Sequence, residues 1–353
     1  MIATPSWLAT MLLERDLLPD AVIRAGIRRI IAARLREQAR PDAATSEARL
    51  RQFAAERSEG PIAIDPAAAN AQHYEVPSAF YRLTLGRHLK YSSAFWDDQT
   101  ATLDDAEDRM LALSAERAAL ADGQRILELG CGWGSLALWM ARRFPQARIV
   151  GVSNSQTQKA WIDGQAGREG LTNLQIVTAD MNVFETDDRF DRIVSVEMFE
   201  HMRNWRALLA KVARWLANDG RAFLHIFTHR EYAYPYEVRD RSDWMAAYFF
   251  TGGIMPADRL LYEFQGDLVV RDHWPMSGVH YQRTAEAWLA NMDRREAAVM
   301  EVLRAAYGGR HARRWWVRWR VFFMACAELW GWQGGREWLV SHYALTKASA
   351  GRR

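Results

Sequence analysis

Between positions 124 and 228 apolar strands alternate with amphipathic helices, which predicts an α/β fold: a doubly wound, mostly parallel sheet with a helical N-terminal preface and a helical cap insertion. Three observations carry the prediction. The strand segments at 125–130, 147–153, 174–180, 192–198 and 221–228 are nearly continuous apolar runs, as expected where both faces of a sheet are covered. The segments between them, 135–144, 156–170 and 204–216, carry apolar residues at helical spacing. A glycine-rich turn joins the first strand to the first helix, as in ligand-binding sheets of this kind.

Before this core, residues 6–57 read as two or three amphipathic helices, with Leu8, Leu12, Leu13 and then Val22, Ile23, Ile27, Ile30, Ile31 and Leu35 on apolar faces. Nine Arg against four acids between Ala21 and Arg57 leave two readings open: contact with an anionic membrane surface, or a solvated face on helices packed against the main domain or a second subunit of a homodimer. Ser58-Glu-Gly-Pro61 and then Asp65-Pro-Ala-Ala-Ala-Asn70 mark a linker, dividing the chain into a segment at 1–69 and a main domain at 70–353. After His229 the reading is an aromatic, Gly/Pro-punctuated stretch at 232–256, a strand near 268–274, a long helix at 284–307, a second helix through 315–330 and a strand near 338–346. The insertion around 229–335 is expected to cap the carboxyl edge of the sheet.

Composition narrows the class. The chain's 353 residues are 49% hydrophobic and 25% charged, with 22 Gly and 10 Pro, which excludes disorder, collagen-like repeats and a coiled-coil rod. A net charge of +3 marks no global nucleic-acid binder. Cys131 and Cys326 make no disulfide framework, no apolar run is long enough to span a membrane, and the first residues lack a signal-peptide pattern, so a cytoplasmic location is expected, peripheral to the membrane if the basic helices bind lipid. Sixteen Trp suit a core, or a pocket for a flat or cationic ligand.

The glycine turn reads Glu128-Leu-Gly130-Cys-Gly132-Trp-Gly134. Its spacing differs from the dinucleotide fingerprint, the Lys-Ser/Thr of a phosphate loop is absent, and Glu128 suits an ammonium better than a pyrophosphate. This points to S-adenosylmethionine rather than a nicotinamide dinucleotide. Asp180, at the end of the third strand, is placed to accept from an adenine amine or else to cap the next segment. Where a ribose-binding acid would stand after the second strand, Ser153 and Gln158 are the candidates. If a helix starts after the fourth strand, Glu197, Glu200 and His201 fall on one face, two carboxylates and an imidazole able to hold or deprotonate an ammonium. A metal site is disfavoured, because neither zincin motif nor a Cys/His cluster is present. A nucleic-acid substrate is disfavoured as well: the fourth strand ends in Val-Glu-Met-Phe rather than the Asn/Asp-Pro-Pro-Tyr that holds a flipped base.

These residues, with Gln72-His-Tyr-Glu-Val-Pro77, Leu89-Lys-Tyr-Ser-Ser93, Gly151-Val-Ser-Asn-Ser155, Phe249-Phe-Thr-Gly-Gly253 and His280-Tyr-x-x-Thr284, resemble the cyclopropane-fatty-acid synthase superfamily of S-adenosylmethionine-dependent methyltransferases. Within it, the pattern is most similar to the coclaurine N-methyltransferase branch. The resemblance runs from about residue 70 to 347 and implies a class I, Rossmann-like methyltransferase fold. It implies that Tyr91 and Ser92 meet the methionyl carboxylate of the donor, Gln158 its ribose and Asp180 its adenine. It also implies a substrate or ion pocket around Glu75, Ser93, His225, Ile226, Phe322 and Glu328.

In lipid-modifying members a bicarbonate ion takes the proton lost in ring closure, held by a set that includes Glu200, His225, Ile226, a Cys and a Tyr. Here Ser93 stands at the Cys position, Phe322 or Phe323 at the Tyr position, Glu197 where those enzymes usually carry Gly, and Glu328 where they carry a small residue. Extra acid near the methyl favours N-methylation of a small apolar amine. C-methylation or cyclopropanation of an unsaturated acyl phospholipid is the alternative, and bicarbonate belongs to that alternative alone.

Overall fold

A computed structural model describes residues 7–64, 77–237 and 244–348; Glu75 and most of the expected linker lie outside them. Helices α1 (Trp7–Glu14), α2 (Asp20–Gln38), α3 (Ala43–Glu56), α4 (Ser78–Thr84) and α5 (Leu103–Arg117) precede the first strand. The alternating core follows: β1 (Arg125–Leu129), α6 (Ser135–Arg143), β2 (Arg148–Ser153), α7 (Gln156–Glu169), β3 (Leu174–Thr178), β4 (Phe190–Val196), α8 (Trp205–Trp215) and β5 (Leu216–His229). The remainder is β6 (Tyr234–Pro235), α9 (Trp244–Tyr248), β7 (Ile254–Met255), β8 (Leu268–Ser277), α10 (Val279–Arg294), α11 (Glu296–Tyr307), α12 (Gly309–Trp330) and β9 (Trp338–Lys347).

The seven-stranded sheet has the order β3-β2-β1-β4-β5-β9-β8. Its first five strands are parallel, β9 runs antiparallel to β5, and β8 antiparallel to β9. The order reverses at β1, so the ends of β1 and β4 open side by side at the carboxyl edge, where a ligand crevice forms in such sheets. Local signals fix the entries to the flanking helices. Thr102 and Asp105 close a capping box on α5, and the Ser155 and Asn204 side chains accept from the Gln158 and Ala207 amides to start α7 and α8.

Two differences from the sequence reading bear on the site. The helix expected at 284–307 is two helices, α10 and α11, broken at Arg295, whose φ of −112° and ψ of 28° leave the helical region. The expected cap also gives up its middle to the sheet, because β8 pairs along β9 and lies in the sheet plane.

The N-terminal helices share the cores of the main domain. Ile23 and Ile31 of α2 join an aromatic core with Trp288, Trp319 and Phe323, while Leu50, Phe53 and Ala54 of α3 join the core under β4 and β5. Full burial of a side chain such as Phe53 is worth roughly 2 kcal/mol. Two arginines of the basic preface pair with the main domain: Arg24 bonds Glu286 and Glu328, and Arg28, at the surface, bonds Glu328. Among the described residues no helix is long and apolar enough to cross a membrane.

Candidate active site

The glycine turn leaves β1 with the Gly130 and Cys131 amides donating to the Val152 carbonyl. Gly130 has φ 78°, and a Cβ there would stand 2.6 Å from the Met198 side chain. Gly132 has φ 51° with nothing within 4 Å of its missing Cβ, so it keeps a cleft open. Gly134 serves packing instead: it caps α6 at φ 83°, pressed against Ile162. The cleft is open to solvent and is lined by Gly130, Gly132, Ser153, Gln158, Asp180, Glu197 and His201 among others.

Each candidate donor-binding side chain has a defined position. Glu128 is buried, with Oε2 lacking a partner among the described residues, and burial pushes its carboxyl up to about 8 against the opposing pull of Lys90. Ser153 donates to Gln158 Oε1 at 2.6 Å, so its hydroxyl orients the Gln158 amide, whose buried Nε2 has no partner among the described residues. Asp180 accepts from the Asn182 backbone and side chain, and Asn182 in turn exchanges two hydrogen bonds with Ala63, fixing the preface as a wall of the cleft. Buried Lys90 donates to Ser92 Oγ at 2.5 Å and to the Ser93 carbonyl at 2.7 Å, and Tyr91 lies between the Tyr81 and Trp288 rings. An unpaired carboxylate oxygen, an unpaired amide donor and an open glycine fit the ammonium, the ribose and the backbone approach of S-adenosylmethionine.

Glu197, Glu200 and His201 converge without the expected helix. Glu197 sits at φ 47°, a left-handed conformation, and only a single 3₁₀ turn, Phe199–His201, follows. Glu197 Oε1 accepts from the Ser93 amide at 2.9 Å and faces His225 Nε2 at 3.2 Å, while Oε2 accepts from the Tyr281 hydroxyl at 2.8 Å. Glu200 is fully buried; its Oε1 accepts from the Phe227 amide at 2.7 Å, and Oε2 has no partner among the described residues. Burial raises both carboxyls, with Lys90 opposing at Glu197 and the Glu197 charge adding at Glu200. His201 packs on the Phe250 ring at 4.5 Å and is pushed down to about 4 by burial, hence neutral near pH 7.

Three candidates from the sequence stand apart from this cluster. Glu328 is turned to α2, where Arg28 and Arg24 hold it below the ordinary carboxylate range against the effect of burial, so it adds no acid beside the methyl position. Phe322 stacks on Phe249 at 4.4 Å inside the aromatic core. Ile226 packs into the core under the sheet, on the face opposite His225. The sequence reading missed Tyr281, which supplies the hydroxyl sought near 322; its motif segment was visible, but its proximity to Glu197 was not. Lys90, His342 and Arg117 were missed as well: Lys90 lies in a motif segment already quoted but was given no role, and no local pattern marks the other two.

Comparison with known proteins gives the family. The family described as mycolic acid cyclopropane synthetase matches residues 63–332. The (S)-coclaurine N-methyltransferase of Papaver somniferum is 40% identical over 278 residues, covering 78% of this chain and 79% of the relative. The cyclopropane-fatty-acyl-phospholipid synthase of Escherichia coli strain K12 is 30% identical over 219 residues, 62% of this chain and 54% of that one. A crystal structure of coclaurine N-methyltransferase bound to N-methylheliamine and S-adenosylhomocysteine superposes with a TM-score of 0.92 at 35% identity, covering 96% of this chain and 98% of the other. The chain belongs to the mycolic acid cyclopropane synthetase family and is an S-adenosylmethionine-dependent methyltransferase.

Proposed function

We propose that this enzyme transfers the methyl group to the nitrogen of a small apolar amine, of the kind for which its Papaver relative is named. One observation carries the reading: the Ser93 amide and His225, which in the lipid branch are implied to hold a bicarbonate, both meet the Glu197 carboxylate here. A fixed acid in that position is a receptor for an ammonium and leaves no need for a bound ion as base.

The donor supplies an electrophilic methyl on a sulfonium sulfur. Glu128, Gln158 and Asp180, with the opening at Gly132, would hold it. Glu197, with Glu200 behind it, draws the ammonium to the mouth of the cleft, and its charge, which raises the basicity of His201 against the effect of burial, supports that imidazole in taking the proton, which exposes the nitrogen lone pair. Phe250, packed between His201 and Phe227, sets an aromatic wall behind this cluster. Positioning of this kind can contribute roughly 7 to 11 kcal/mol to lowering the barrier.

The test is the initial rate of S-adenosylhomocysteine release with (S)-coclaurine, and separately with vesicles of an unsaturated phospholipid, in degassed and bicarbonate-supplemented buffer across roughly pH 6 to 9. The amine is expected to gain one methyl, at a rate indifferent to bicarbonate and falling as pH drops and the amine stays protonated. A bicarbonate-stimulated rate with the extra carbon on the acyl chain overturns the reading.

A further inference from the structure

A row of side chains crosses the carboxyl edge of the sheet behind Glu197. His225 on β5 lies directly opposite His342 on β9, and His342 opposite Trp274 on β8. His225 Nε2 meets Glu197 Oε1 at 3.2 Å, His225 Nδ1 meets His342 Nε2 at 2.9 Å, and His342 Nδ1 meets the Arg117 guanidinium at 2.8 Å. Arg117, the last residue of α5, stacks on the Trp274 ring at 4.9 Å and donates to the Met276 sulfur at 3.2 Å. Both imidazoles are fully buried, and burial, with the nearby cations of Arg117 and Lys90, keeps them neutral.

Chemistry then fixes the direction of every hydrogen bond. A guanidinium only donates, so His342 Nδ1 must accept, and the single proton of the neutral ring stands on Nε2. That proton is donated to His225 Nδ1, which places the proton of His225 on its own Nε2, pointing at Glu197. The chain has one consistent polarity. It is no proton wire, because its outer end is a group that neither accepts a proton nor releases one near pH 7.

We propose that Arg117 and His342 are positioning residues that lock His225 as the Nε2–H tautomer, so that Glu197 Oε1 receives a hydrogen bond and has no path to pass a proton into the sheet. This rests on the N-methyltransferase reading for its catalytic consequence. Ser93 N–H, His225 Nε2–H and Tyr281 O–H then hold Glu197 as a fixed acceptor. The proton leaving the substrate nitrogen is directed to His201, on the open side of the cleft. Around Glu197 the other titratable neighbours are Lys90, Glu200 and Cys326, from the loop before α5, the turn after β4 and α12.

Histidine ¹⁵N NMR on the labelled full chain, with peaks assigned through His225→Gln and His342→Gln, reads the tautomers directly and needs no substrate. Both rings are expected as Nε2–H in the wild type, and His225 is expected to lose that preference in Arg117→Gln, where an amide can accept as well as donate. With (S)-coclaurine, Arg117→Gln is expected to lower kcat roughly 10- to 100-fold at unchanged S-adenosylhomocysteine affinity, and Arg117→Lys, which still only donates, to recover most of it at a similar melting temperature. An Nδ1–H form of His225 in the wild type overturns the proposal. So does wild-type kcat in Arg117→Gln, or loss of turnover in both variants in step with lost stability. Should the acceptor be a lipid instead, the N-methyltransferase reading fails while the tautomer result still stands on its own.

Discussion

Glu197 holds a conformation that ordinarily belongs to glycine, and strain of about 1 kcal/mol or more in a non-glycine residue at positive φ persists only where its surroundings over-determine it. Three donors do so here, from Ser93, Tyr281 and His225. Glu197→Gly is therefore expected to relax the backbone and empty the cradle. Amine turnover should fall by roughly 10² to 10⁴, and added formate or bicarbonate should restore part of it by filling the vacated donors. Absence of rescue at any anion concentration, with the protein folded, would show that the donors collapse once the carboxylate is gone. His201→Ala should lower kcat over the same rough range of 10² to 10⁴ with unchanged S-adenosylhomocysteine affinity; wild-type turnover would remove His201 from the chemistry. The glycine turn, Gln158, Asp180 and the Glu197–His201 run were legible in the sequence, because each lies in one short segment at a strand end. Tyr281, Lys90, His342 and Arg117 were not: they reach Glu197, directly or in turn, from α10, the loop before α5, β9 and α5, separations that only the folded sheet closes.

Helix α2 left two readings open in the sequence, a membrane face or packing against the main domain, and the ion pairs supply the second: Arg24 bridges Glu286 of α10 and Glu328 of α12, and Arg320 of α12 reaches back to Asp20 at the start of α2. These pairs clamp the preface to the cap and give the acid at 328 a structural role. Glu328→Gln is expected to leave kcat unchanged while costing about 1 to 2 kcal/mol, the usual loss when one partner of a charge-assisted pair is removed. Thermal unfolding beside steady-state kinetics separates the two roles, and a fall in kcat at unchanged melting temperature would return Glu328 to the pocket. The parallel strands were legible because burial on both faces writes them as apolar runs. The break between α10 and α11 was not, since Arg295 carries none of the Gly or Pro signals that mark a helix end. Nor was β8's place in the sheet, whose partner β9 comes about 70 residues later.

Across the whole molecule buried titratable groups, in the site and outside it, work against stability from both sides of neutrality. Burial holds His201 and His88 down to about 4 and His229 to about 3, so between 6.5 and those values the unfolded chain binds protons that the folded chain refuses, and stability falls as pH drops. Burial holds Glu107 up to about 7 and Glu128 up to about 8; the unfolded chain releases those protons above 4.5, so stability falls as pH rises through that window. Lys90, pushed down to about 8 by burial, adds no slope below that value. The opposing trends place the maximum where the two windows meet, on the acid side of neutrality. Of these groups Glu128 alone has an unpaired oxygen beside the glycine turn, so a cation bound there adds to the partial relief that Lys90 gives its burial. Glu128→Gln is therefore expected to raise the stability of the ligand-free protein at pH 8 by on the order of 2 kcal/mol, flatten the alkaline limb, and weaken S-adenosylhomocysteine binding at least tenfold, about 1.4 kcal/mol. Calorimetry with the ligand and thermal unfolding across roughly pH 5 to 8 measure both effects. A variant that gains stability yet binds S-adenosylhomocysteine as tightly as wild type would mean that the ammonium of the donor is held elsewhere in the cleft.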